Sequence, residues 1–121
     1  MGISFKIDAK AGIIFSVAEG KNDGADLQGL HTRFAADPLY QPEFPHLFDG
    51  RSAKFSFSGR EARELGTWGK QNRPTSKTAI VIDKEAQGYA RMFQGWREGD
   101  SHIFYDMGSA RNWLGLPPEE E

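Results

Sequence analysis

The chain has 121 residues, enough for one domain and few for two, because a chain of this size already leaves about a third of its unfolded surface exposed. Hydrophobic residues make up 38% and charged residues 26%, and 15 basic against 17 acidic residues give no net positive charge to hold a nucleic-acid backbone. The absence of cysteine excludes disulfides, thiolate metal sites and a cysteine nucleophile together. The opening residues MGISFKIDAKAG lack a basic stretch followed by an unbroken apolar run. No window approaches the roughly 20 apolar residues of a membrane span. One domain over residues 1–121, in the cytoplasm, is the expectation.

ISFKID, residues 3–8, alternates Ile3, Phe5 and Ile7 with Ser4, Lys6 and Asp8, the period of a half-buried strand. A second apolar run covers Ile13 to Ala18, and the AKAG turn between them, with Gly12 free to take positive φ, predicts an antiparallel hairpin. From Asp23 to Asp37 the spacing changes. Leu27, Leu30 and Phe34 form one helical stripe, and Asp37-Pro38 ends it. HLFDGR, residues 46–51, reads as a short strand. Ser58 and Glu61 have the S-x-x-E form of a capping box and open a helix over 59–72, with Ala62, Leu65 and Trp68 inward.

TAIVID, residues 78–83, is nearly continuous in apolar character, as expected of a central parallel strand covered on both faces. Helical spacing returns over 84–98. HIFYDM, residues 102–107, is the last strand and 109–114 a short last helix, stopped by Pro117-Pro118. The order is ββαβαβαβα, an α/β domain with a mixed, mostly parallel sheet, an N-terminal β-hairpin and helices packed on it.

Several of these segments carry a recognisable pattern. TAIVID, AQGYARMFQGW and HIFYDMGSARNWLGLP follow one another in the C-terminal third. Upstream, ADPLYQPEFPHLFDGRSA places Asp37, Pro38, Pro42, Leu47, Asp49 and Arg51 at recurring positions. In motif and element order the chain resembles the SpoIIAA-like family of small bacterial proteins, related to STAS and CRAL-TRIO domains. The resemblance implies a STAS-like fold, frequent self-association and mostly no assigned activity. In phosphorylated anti-anti-sigma members of the wider STAS group a D-S-[ST]-G sequence presents the modified serine. Here the stretch reads Ser56-Phe57-Ser58-Gly59, without the leading acid and with Phe57 where the acceptor is expected.

Each candidate site residue has a plain structural reading beside a functional one. Ser58 is a helix cap or, alternatively, a phosphate acceptor, since a helix N-terminus favours an anion. Asp49, Asp83 and Asp106 stand near the C-terminal ends of strands, where open α/β sheets bind ligands, yet Asp83 and Asp106 also precede helices that need caps. Arg51 can pair with Asp49. His31, His46 and His102 show no metal-ligand spacing. Ser58, His102 and Asp106 make a triad on paper, without a G-x-S-x-G elbow. No glycine motif for nucleotides is present.

Tyr89, Met92, Phe93 and Trp96, with Ala90, spread apolar character over more than half of one helix, which makes them the candidate interface. The first reading is therefore a non-catalytic interaction module that homodimerises and takes a protein partner, without cofactor or metal. The alternatives are a carrier of an apolar, lipid-like molecule and a phospho-regulated switch on Ser56 or Ser58. An enzyme using the strand-end carboxylates ranks last.

Overall fold

The computed structural model describes residues 2–72, 76–84 and 100–117. Strands β1 (Gly2–Asp8) and β2 (Ile13–Asp23) form the antiparallel hairpin, with Ile7 opposite Ile14. The turn closes where Gly12 takes a φ of +69° and the Asp8 carboxylate accepts the Ala11 N–H at 3.0 Å. Helix α1 (Gly24–Ala35) follows, then β3 (His46–Ser56), α2 (Gly59–Asn72), β4 (Lys77–Val81), β5 (Asp100–Phe104) and α3 (Met107–Trp113). The described strands make one sheet in the order β1-β2-β3-β4-β5, parallel throughout except at β1. Beyond Lys84, the helix read over 84–98 lies outside the described residues.

Strand alternation sends side chains to two cores. Ile14, Phe48 and Ile80 face Leu27, Leu30 and Phe34 of α1 and Ala62 and Leu65 of α2. Their neighbours Ile13, Leu47, Ala79 and Val81 face Ala110 of α3, with Met107, Trp113 and Leu114 packed around them. Burying a Leu, Ile or Phe side chain contributes about 1.5–3 kcal/mol, so both layers hold the sheet. β4 is an inner strand, parallel to both neighbours and covered on both faces as its sequence predicts, while β3 holds the middle of the described sheet.

The helix starts are chemically specified. Asp23 Oδ1 accepts the Asp26 N–H at 2.9 Å while Asp26 Oδ2 accepts the Asp23 N–H at 2.8 Å, a reciprocal cap on α1. α1 ends at Ala35, two residues before Asp37, whose carboxylate instead turns the chain by accepting the Leu39 N–H at 2.9 Å.

Strands β2 and β3 run well past the limits their apolar runs suggest. Val17 is opposite Asp49, yet Glu19 is opposite Ser52, so β3 carries one extra residue between them and the ladder resumes through Asp23 and Ser56. Gly50, two residues after Phe48, keeps to the α1/α2 side, and the bulge turns Phe55 to the same face, so the two rings close over it with centroids 6.1 Å apart. Beyond the bulge Ala53, Phe55 and Phe57 alternate inward against exposed Lys54, Ser56 and Ser58. Phe57 is thus a core residue.

Candidate functional site

Register places the predicted acids at one end of the sheet. Asp49, Val81 and Phe104 lie side by side across β3, β4 and β5, and Asp83 and Asp106 follow two residues beyond the last two. Arg51 grips Asp49 with two parallel bonds, Nε to Oδ1 and Nη2 to Oδ2, both 2.9 Å. Asp49 also accepts the Arg51 backbone N–H at 3.1 Å. Burial pushes the Asp49 carboxyl up, but the bonds and charge of Arg51 together outweigh it and hold it below its ordinary 3.8.

Asp106 caps α3. It accepts the Ser109 N–H at 2.7 Å and the Ser109 hydroxyl at 2.9 Å, and these bonds, with a contribution from the positive charge of Arg51, lower its pKa. Arg51 is thus the ion-pair partner of Asp49, and its charge also acts on Asp106. Asp83 stands exposed at the same end of the sheet.

The pH consequence has a definite sign. A carboxyl held lower in the folded than in the unfolded chain stabilises fully above the unfolded value near 3.8, and loses that contribution as pH falls through the lower folded value. Asn at position 49 keeps the shape without the charge. The Asp49→Asn protein is expected to show a shallower loss of stability below about pH 4 than the parent in urea titrations, with a cost at pH 7 of about 0–1 kcal/mol for a solvent-accessible pair.

Ser58 and Glu61 form the predicted capping box: Ser58 Oγ accepts the Glu61 N–H at 3.1 Å and Glu61 Oε1 accepts the Ser58 N–H at 3.0 Å. The Glu61 side chain also lies against Gly24 at the start of α1, on the space a Cβ there would need. One glutamate therefore both caps α2 and sets its approach to α1. Ser58 is exposed, with its hydroxyl engaged in the cap, and Ser56 is exposed at the last position of β3.

The paper triad is not assembled. His102 packs on Trp113, ring centroids 4.7 Å apart, at the opposite end of α3 from Asp106. Lys77 Nζ lies 5.0 Å from the same indole. Among the described residues no group of three or more His, Cys, Asp or Glu is placed to hold a metal ion.

The other two histidines meet in a place their sequence spacing does not reveal. His46 of β3 and His31 of α1 are buried, with ring centroids 5.9 Å apart, and Ser16 of β2 lies 2.6 Å from His46 Nε2. His31 Nδ1 bonds the Leu27 carbonyl at 2.8 Å. Phe34 and Trp68 wall the pair, each 5.1 Å from one or both imidazoles. A buried Ser–His pair resembles a nucleophile and its base in distance alone. At 2% and 0% exposure neither atom reaches a substrate, and the pair ties β2 to β3 beneath α1. The sequence signal is His31 on the i+4 position from Leu27, within the apolar stripe.

Two open clefts flank α1. One, of about 580 Å³, lies between α1 and α2 and is bordered by Ala25, Gln28, Gly29, Thr32, Arg33 and Glu64 among others. The second, of about 310 Å³, lies between α1 and β1, and Arg33 stands at the border of both. The interface candidates Tyr89, Met92, Phe93 and Trp96 lie outside the described residues.

A five-stranded mixed sheet with this hairpin and these helices is a SpoIIAA-like fold. Among solved structures, the chain is similar to an uncharacterised protein of the DUF3478 family with a SpoIIAA-like fold from Shewanella loihica PV-4. The TM-score is 0.62 at 22% identity, over 93% of this chain and 94% of that one. At this identity the likeness is one of fold. No protein-family model matches the sequence, and no curated protein matches it. No helix among the described residues is long and apolar enough to cross a membrane.

Proposed function

We propose that this protein is a non-catalytic interaction module that self-associates through its helical layer. The observation that carries the non-catalytic reading is the use already made of the polar groups at the sheet end and at the start of α2. Asp49 is clamped by Arg51, Asp106 by the first turn of α3, and Ser58 by Glu61. Each of these bonds engages a lone pair that a general base or nucleophile would use, and so makes the group a weaker one. Self-association rests on the sequence of residues 84–98, where Tyr89, Met92, Phe93 and Trp96 spread apolar character over more than half of the helix expected there.

Sedimentation velocity over a dilution series tests it with Trp96→Glu as the comparison. The wild type is expected to sediment as a dimer at micromolar concentration. The variant is expected to dissociate at least tenfold more readily while keeping its far-ultraviolet circular dichroism. A monomeric wild type, or a Trp96→Glu protein that unfolds instead of dissociating, refutes this interface.

A further inference from the structure

Among the described residues no strand pairs with the outer side of β1, which is seven residues long, and sheet edges of this kind recruit further strands unless something blocks them. The Ile14 N–H donates to the Pro45 carbonyl at 2.9 Å, on the β3 side of β2. In an antiparallel ladder a residue's N–H and C=O point to the same side, so Ile14 turns both away from β1. Its partner Ile7 then turns both away from β2. By alternation Ile3, Phe5 and Ile7 present their backbone groups at the open edge, while Ser4 and Lys6 bond to β2.

One of those edge groups is taken by α1. Arg33 Nη2 donates to the Ile3 carbonyl at 2.9 Å, while Nε of the same guanidinium donates to the Gly29 carbonyl at 3.3 Å. The side chain is thus stretched from the last turn of α1 across to the edge strand, between the two clefts described above. Favourable placement of a cation in the last turn of a helix accounts for an arginine there. It does not require the reach to another element.

The sequence of β1 is well suited to pair with itself. Turn a second copy about a twofold centred on Phe5, and Ile3 lies opposite Ile7, Ser4 opposite Lys6, and Gly2 opposite Asp8. No like charges meet, and apolar residues stand against apolar residues on one face. The outward residues also fall in register, so Ile3 and Ile7 of the two copies exchange bonds through the Ile3 carbonyl that Arg33 occupies. By symmetry the guanidinium blocks that bond at both ends of the join. We infer that Arg33 is an autoinhibitory clasp that keeps the β1 edge closed against strand addition by a second copy of this chain.

Arg33→Met tests the clasp, because methionine retains much of the aliphatic stem and removes the donors. Native mass spectrometry of the full chain is expected to give twice the wild-type subunit count for the variant. Amide exchange followed by nuclear magnetic resonance is expected to slow at least tenfold at Phe5 and Ile7, with Arg33→Lys behaving as wild type. An Arg33→Met protein with wild-type subunit count and exchange overturns the inference. So does a larger assembly in which those two amides stay fast, since it uses another surface, and so does a wild type in which they are already as slow as the β3 amides.

Discussion

Phe34→Ala is expected to cost about 3–5 kcal/mol. Phe34 is fully buried on α1, and its ring is the meeting point of the aromatic layer. Centroids lie 5.1 Å away at His31 and at His46, 5.8 Å at Tyr40 in a stacked arrangement, 6.2 Å at Trp68 and 6.4 Å at Phe5. Those partners come from β1, α1, the α1–β3 connection, β3 and α2. None can collapse into the void without moving its own element, so the cavity term adds nearly in full to the lost transfer energy. Urea denaturation should show a lower midpoint at unchanged slope. A loss below about 1 kcal/mol would mean the layer repacks freely, contrary to this description.

Gly50→Ala is the second, and its sign is the test. Glycine inside a strand is ordinarily the weaker residue, and its replacement by alanine should stabilise by about 0.5–1 kcal/mol through backbone entropy alone. Here a Cβ would sit 2.9 Å from a ring carbon of Phe48 and 2.9 Å from one of Phe55, closer than packed carbons tolerate. Both rings are nearly fully buried and hold each other in place, so the crowding wins and the variant is expected to lose about 1–3 kcal/mol. A variant more stable than the parent would show that the bulge at Gly50 is loosely packed.

The fold was legible wherever burial wrote a period into the chain. The alternation of ISFKID, the continuous TAIVID and the Leu27-Leu30-Phe34 stripe each correspond to the element they predict. The second halves of β2 and β3 are masked in the sequence, because Glu19, Gly20, Lys21 and Lys54 are polar or exposed and the bulge breaks the register between the runs. The alternation of Ala53, Phe55 and Phe57 was the available signal.

Capping chemistry was legible at Ser58 and Asp106, where one side chain and a neighbour three residues away suffice. Asp23 and Asp26 form the same reciprocal cap with two aspartates, which the S-x-x-E template passes over. The action of the Arg51 charge on Asp106 is visible only with the sheet register, since the two are 55 positions apart in the chain. The Ser16–His46–His31 cluster, drawn from β2, β3 and α1, likewise exists only once parallel pairing has brought its strands together.

Native mass spectrometry of freshly purified full-length protein tests the central claim most directly, because one spectrum reports both subunit count and retained small molecules. A ligand-free dimer is the predicted result. A monomer, or a chain that keeps an added mass of a few hundred daltons, would contradict the self-associating module and favour a small-molecule carrier in the second case.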